Sequence, residues 1–231
     1  MGQQQGHLGT IEHAKSSGEF FFQLLYNEMS QVGDAVGIEN FVGLLASAGG
    51  VACIATALCE YEILKMGPHD PDLLLEQQVS GHSYFIGDLP GRYLYGCESS
   101  LLDIALLWAM KHGAQIEHDF LHEPVRHVTN TVGTPQFGIP RLPEANRPNA
   151  LPINLAECAW PQAEHTFNSL GLAIEWRPAA LGFAIGKAID LSADAVDPLI
   201  LAKITVEHAV PMASIDPSRF MDRLERLRAN S

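Results

Sequence analysis

From Phe41 to Cys59 the chain carries no charged side chain, a length close to the ~20 residues that a membrane-spanning helix needs. A helix that is apolar on every side must be enclosed, by other helices or by lipid. The composition of the run separates these outcomes. It is rich in Ala, Gly and Ser, has Gly49-Gly50 at its middle and holds few large aliphatic side chains. Small residues four apart, Gly43 with Ser47 and Ala46 with Gly50, let another helix approach closely. Glu60 and Glu62 follow at once, and no basic cluster sets an orientation across a bilayer. The run is therefore expected to be the central helix of a water-soluble helical body, with a membrane span as the alternative.

Around this segment the sequence predicts further helices. Phe21, Leu24, Leu25 and Glu28 follow helical spacing over Ser17 to Gln31, with Gly33 as a stop. Asn40 is placed to cap the central helix, which Gly67-Pro68 should end. Asp72 to Gln78 reads as a short helix after Pro71. Leu101, Ile104, Ala105 and Trp108 form the buried stripe of a helix ending at Gly113, opened by Glu98 or Ser99. Later helices are expected from about Asn154 to Leu170, Pro178 to Ile189, Pro198 to His208 and Pro217 to Ala229. Asp197-Pro198 and Asp216-Pro217 join a side-chain cap to a preset φ. Leu172 to Trp176 reads as a short strand.

Two stretches break the helical pattern. In Ser80 to Gly96 aromatic and β-branched residues flank Gly87-Asp88-Leu89-Pro90-Gly91, which predicts a hairpin turning at those five residues. From Ala114 to Pro152 prolines recur, and this stretch is expected either to wrap the core as an ordered loop or to divide the chain within residues 124–152. Long loops in compact domains often carry function. The fold class that follows is mainly α: one helical globular domain over residues 1–231, with a mid-chain β-hairpin or small sheet and α+β as the alternative.

The 231 residues are 47% hydrophobic and carry a formal net charge of −13. Ample apolar content permits a core, and an acidic field with few basic residues argues against nucleic-acid binding. Cys53, Cys59, Cys97 and Cys158 show no CxxC spacing, which suits reduced thiols. The segment MGQQQGHLGT has neither the charged nor the apolar region of a leader, and Gly6 stands where myristoylation requires Ser or Thr. A cytoplasmic location is expected from these features.

Three constellations could carry chemistry. If Glu117 to Glu123 is helical, His118 and His122 lie one turn apart and could grip a divalent metal such as zinc. Asp119 then takes the general-base position of an HDxxH motif, and Glu123 or His127 supplies a third ligand. Cys97 precedes the helix at Leu101, where the positive end of the dipole would favour a thiolate nucleophile. That outline is similar to the nucleophile placement of papain-like and transglutaminase-like enzymes, with His118, His122 or His127 as base and Asp119 as orienting group. His82, Tyr84, Asp88, Arg92, Tyr93 and Tyr95 bring polar-tipped rings and charges together, as ligand pockets do. No GxGxxG, GxxxxGK[ST] or GxSxG pattern occurs.

The leading functional expectation is a non-enzymatic binding or scaffold protein that self-associates through helices. The tail helix carrying Phe220, Leu224 and Leu227 is expected to dock on its own core or on a second subunit. A metal-dependent hydrolase and a thiol enzyme using Cys97 are the alternatives.

Overall fold

The computed structural model describes residues 2–31, 37–64 and 74–220. Eight helices and one hairpin follow in the order α1 (Gly2–Gln31), α2 (Ile38–Leu64), β1 (Leu75–Val79), β2 (His82–Ile86), α3 (Asp88–Tyr95), α4 (Leu101–Lys111), α5 (His122–Thr131), α6 (Pro152–Ser169), α7 (Arg177–Ser192) and α8 (Pro198–Met212). Single 3-10 turns lie at Glu144–Asn146 and Ile174–Trp176. The molecule is mainly α with one small antiparallel sheet, as the sequence predicts.

Helix α2 lies at the centre, with α3, α6, α7 and α8 packed around it. Ile38–Glu62 has a mean hydropathy of 2.0, is long and apolar enough to cross a membrane, and is 83% buried by other parts of the chain over its most apolar stretch. Its glycines mark the closest approaches. A Cβ on Gly50 would lie 2.2 Å from the Ala209 carbonyl oxygen, and one on Gly43 would lie 3.2 Å from the His208 ring. Both glycines therefore admit α8. Gly49 instead admits Leu101 at the start of α4, where an added Cβ would come within 2.7 Å. The small-residue stripe thus serves packing inside this chain, with α8 seated along Gly43 and Gly50, seven residues apart.

Helix α1 packs on α7 by the same means, since a Cβ on Gly18 would overlap the Ala180 carbonyl. The Phe21 and Phe167 rings meet at 5.5 Å, and Phe22 meets Phe41 edge-on at 5.4 Å. One cluster of buried apolar side chains runs from Ala14 in α1 to Phe220 after α8, with Trp160, Phe41 and Leu181 among its largest members. Local caps agree with the helix ends. Ser100 accepts from the Asp103 amide at 3.4 Å, one residue later than the expected opening of α4. Asp197 accepts from the Leu199 amide at 2.9 Å, with Pro198 in the first turn.

Three local expectations are corrected. The hairpin turns at Ser80-Gly81, where both residues have positive φ (54° and 79°), the geometry that lets a two-residue loop match strand twist. Gly87 to Gly91, expected to be that turn, instead opens α3; Pro90 fits because a first helical turn needs no amide there. The expected helix over Asp72 to Gln78 is β1 from Leu75 onward, paired with β2 in the register Leu75↔Ile86 to Val79↔His82. Leu172 to Trp176 is not a strand but a 3-10 turn leading into α7. Gly33, Gly67-Pro68 and the tail beyond Phe220 lie outside the described residues.

The proline-punctuated stretch wraps the core and contains one helix, α5. Polar contacts fasten it. The Asn149 amide donates to the Asn40 side-chain carbonyl at 2.7 Å, so Asn40 pins the loop rather than capping α2, which begins two residues earlier. Arg141 donates from its backbone amide, Nε and Nη2 to Glu207 on α8, at 3.0–3.2 Å. Its Nη1 donates to Glu123 on α5 at 3.3 Å.

Candidate functional site

The wrapping loop leaves three recesses where it meets α8, α5 and the hairpin. The first is a cleft of about 300 Å³ between α5 and α8, lined by Phe120, Glu123, Pro124, Arg141, Lys203, Val206 and Glu207. Its guanidinium is already neutralised, because Arg141 bonds both carboxylates that line the cleft. The second, lined by α3, α5 and the end of α8, holds only about 60 Å³, room for little more than water.

The third recess has a different character. It encloses about 170 Å³ and is lined by His82 and Tyr84 of β2, Thr134, Phe137 and Gly138 after α5, Leu151 and Ile153 at the start of α6, and Met212, Ile215 and Arg219. Strand periodicity puts His82 and Tyr84 on one face of β2. The hairpin is held there by backbone pairing to the chain after α8: the Phe85 amide donates to the Ser214 carbonyl at 2.8 Å, and Tyr84 bridges Ile215. Tyr84 and Phe137 pack edge to face at 5.0 Å. Gly138 has φ +70°, a backbone shape that favours glycine, and the turn it makes brings Phe137 over Tyr84.

Among the described residues the Tyr84 hydroxyl, the His82 ring and the Arg219 guanidinium make no hydrogen bond or ion pair. The Tyr84 hydroxyl is not sealed from solvent either. Thr134 is different, since its hydroxyl donates to the Thr131 carbonyl and accepts from the Gln136 amide. None of the lining residues is acidic.

The other expected site residues fall in several places. Tyr95 lines the small second recess, and Asp88 is exposed in the first turn of α3. Arg92 and Tyr93 turn to Glu60 on α2, with the Arg92 donor at 2.9 Å and the Tyr93 hydroxyl donating at 2.5 Å. Burial, and then the Glu60 carboxylate, push the Tyr93 phenol up from its ordinary value. The six residues proposed together thus divide, and only His82 and Tyr84 share the 170 Å³ cavity.

The HDxxH residues do not lie on one helical face. Helix α5 begins at His122, so His118 and Asp119 lie in the preceding turn and not on a helical face with it. Pro124 is the reason. It stands in the first turn of α5, where proline is accommodated. The His118 and His122 rings lie edge to face at 6.2 Å, both residues exposed. Glu123 is taken by Arg126 and Arg141. His127 turns its Nε2 into the protein, where it has no partner. Among the described residues no group of three His, Cys, Asp or Glu side chains could hold a metal ion.

Cys97 is exposed in the turn between α3 and α4, three residues before the Ser100 cap. Its thiol contacts the Arg92 carbonyl at 3.5 Å and the Ser99 hydroxyl at 3.7 Å. No described contact joins it to His118, His122, His127 or Asp119.

Sequence reasoning missed Arg141, Arg219, Phe137 and the buried His208. His208 Nδ1 donates to the Ile204 carbonyl at 2.9 Å, while Nε2 is sealed against Gly43 without a partner. Burial pushes its pKa down to about 4, so the ring is neutral at pH 7. No protein-family model, curated protein or solved structure matches the chain.

Proposed function

We propose that this protein is a non-enzymatic binding protein whose ligand enters the cavity between the hairpin, the wrapping loop and the end of α8. One observation carries the reading: a cavity of about 170 Å³ walled by Tyr84, Phe137, Leu151, Ile153, Met212 and Ile215, with polar side chains that no described residue satisfies. Binding sites have this composition, apolar walls for affinity and a few polar atoms for orientation. The cavity is also built from segments distant in sequence, on a rigid helical frame.

Titration of methyl-labelled protein with benzyl alcohol tests the proposal. The Ile153, Met212 and Ile215 methyl signals should move in a saturable way, and Leu151→Trp at the half-open rim should abolish the shifts by filling the space. Saturable shifts confined to the Arg141 cleft, or none anywhere, would remove the proposal.

A second reading, self-association, is favoured by a separate surface. Leu107, Met110 and Leu191 are 60%, 50% and 62% exposed. They lie at the same end of α4 and α7, which pack side by side and are joined by Asp190 to Lys111 and His112. Exposed aliphatic groups gathered in this way often mark contact surfaces. Sedimentation of the wild type and of Leu107→Glu/Leu191→Glu decides it: a wild-type dimer that the charges dissociate supports it, and a wild-type monomer at high concentration ends it.

A further inference from the structure

Resting on the cavity reading above, we infer that the ligand is a small organic monoanion, a carboxylate on a single aromatic ring or a branched aliphatic chain of similar size. Size sets the first limit. A cavity of ~150 Å³ lined by aliphatic and aromatic side chains takes one benzene ring. The hairpin cavity, at about 170 Å³, has room for one ring with one small substituent. Nucleotides and other drug-sized ligands occupy pockets of ~300 Å³ or more.

Charge sets the second limit. The protein carries 27 acidic and 14 basic residues, yet among the described residues the cavity wall contains Arg219 and His82 and no carboxylate. The comparison with the Arg141 cleft is direct. There Glu123 and Glu207 also line the space, and Arg141 is spent on them. Asp216, three residues before Arg219, has its carboxylate on the Ser218 amide at 2.9 Å. Among the described residues Arg219 is therefore a guanidinium without a counter-ion at the wall of this cavity, and its fork matches a carboxylate. The unpartnered Tyr84 hydroxyl adds a second donor to the same anion, while the Phe137 and Tyr84 rings and the Met212 thioether face the apolar part.

Calorimetric or NMR titration of the full chain with benzoate, benzyl alcohol and benzylamine separates the outcomes. A charge-assisted hydrogen bond to Arg219 should make benzoate bind roughly 10-fold or more tightly than benzyl alcohol, with benzylamine weakest. Arg219→Gln should bring benzoate down to the level of benzyl alcohol and leave benzyl alcohol unchanged. Tyr84→Phe keeps the ring and loses no existing hydrogen bond, so it should fold normally and weaken benzoate by roughly 3- to 10-fold. If benzyl alcohol binds as well as benzoate, and Arg219→Gln changes neither, the anion assignment is overturned while the cavity reading stands. If none of the three binds, both fall.

Discussion

The two sides of α8 are built on opposite principles. Where α8 meets α2, glycine and alanine let backbones touch, and Gly43, Ala46 and Gly50 are sealed. Where its other side and its C-terminal end meet the wrapping loop and the hairpin, prolines, turns and long side chains pack imperfectly and leave recesses of about 300 and 170 Å³. Helices with small residues close on one another like a crystal. A loop tied down by a few polar contacts cannot, and its gaps are where a ligand finds room. Two glycines express the contrast. Gly50 is required for space, since a Cβ would overlap Ala209 backbone. Gly138 is required for conformation, since its φ is +70° and the nearest atom to an added Cβ, on Pro211, is 3.8 Å away.

Gly50→Ala tests the contrast most severely. Backbone cannot yield as a flexible side chain can, so α2 and α8 must separate, and a loss of about 3 kcal/mol or more is expected in urea unfolding. A loss below about 1 kcal/mol would show that this side is looser than the geometry implies.

His208, at the same closed surface, should give the next largest effect through pH. Its folded-state pKa of about 4 lies below the ordinary 6.5. As pH falls through 6.5 the unfolded chain takes up a proton that the folded ring refuses. Stability from this group is therefore complete above pH 6.5 and declines toward pH 4, by about 3 kcal/mol at the limit. His208→Leu should flatten the stability curve between pH 6.5 and 5; an unchanged slope would refute the assignment.

On the open side, Arg141→Ala should cost about 2 kcal/mol, because Glu207, with its side chain 11% exposed, loses its partner. Amide exchange should accelerate over residues 134–150 more than in α2. Uniform acceleration would mean that loop and core open together.

Gly138→Ala should cost least, about 1 kcal/mol from left-handed backbone strain without a clash. It should weaken ligand binding in the hairpin cavity more than it lowers stability, because Phe137 is displaced. Equal costs at Gly50 and Gly138 would erase the distinction between the two sides.

Much of this architecture was legible in the sequence. Asp197-Pro198 marks the start of α8 because a cap and a fixed φ act within one turn. The uncharged run after Asn40 announces an enclosed helix because no face of it suits water. The stretch from Ala114 to Pro152 was identifiable as the place to seek a site, and its residues do line the 300 and 170 Å³ recesses. Errors arose where one residue type serves two local purposes. Pro90 was read as part of a hairpin turn and stands in the first turn of α3, while Ser80-Gly81, read only as the start of the hairpin region, is its turn. Those choices depend on what the flanking segments pack against.

The sequence by itself determined that the chain is mainly helical around one apolar segment, since periodicity, caps and the lack of charge act over a few turns. Only the tertiary structure decided that His82 and Tyr84 line one cavity with Phe137 and Arg219, or that His118 and His122 do not share a helix. These arrangements bring together positions as far apart as 82 and 219. Their energies appear only after the chain closes, and no local pattern records them.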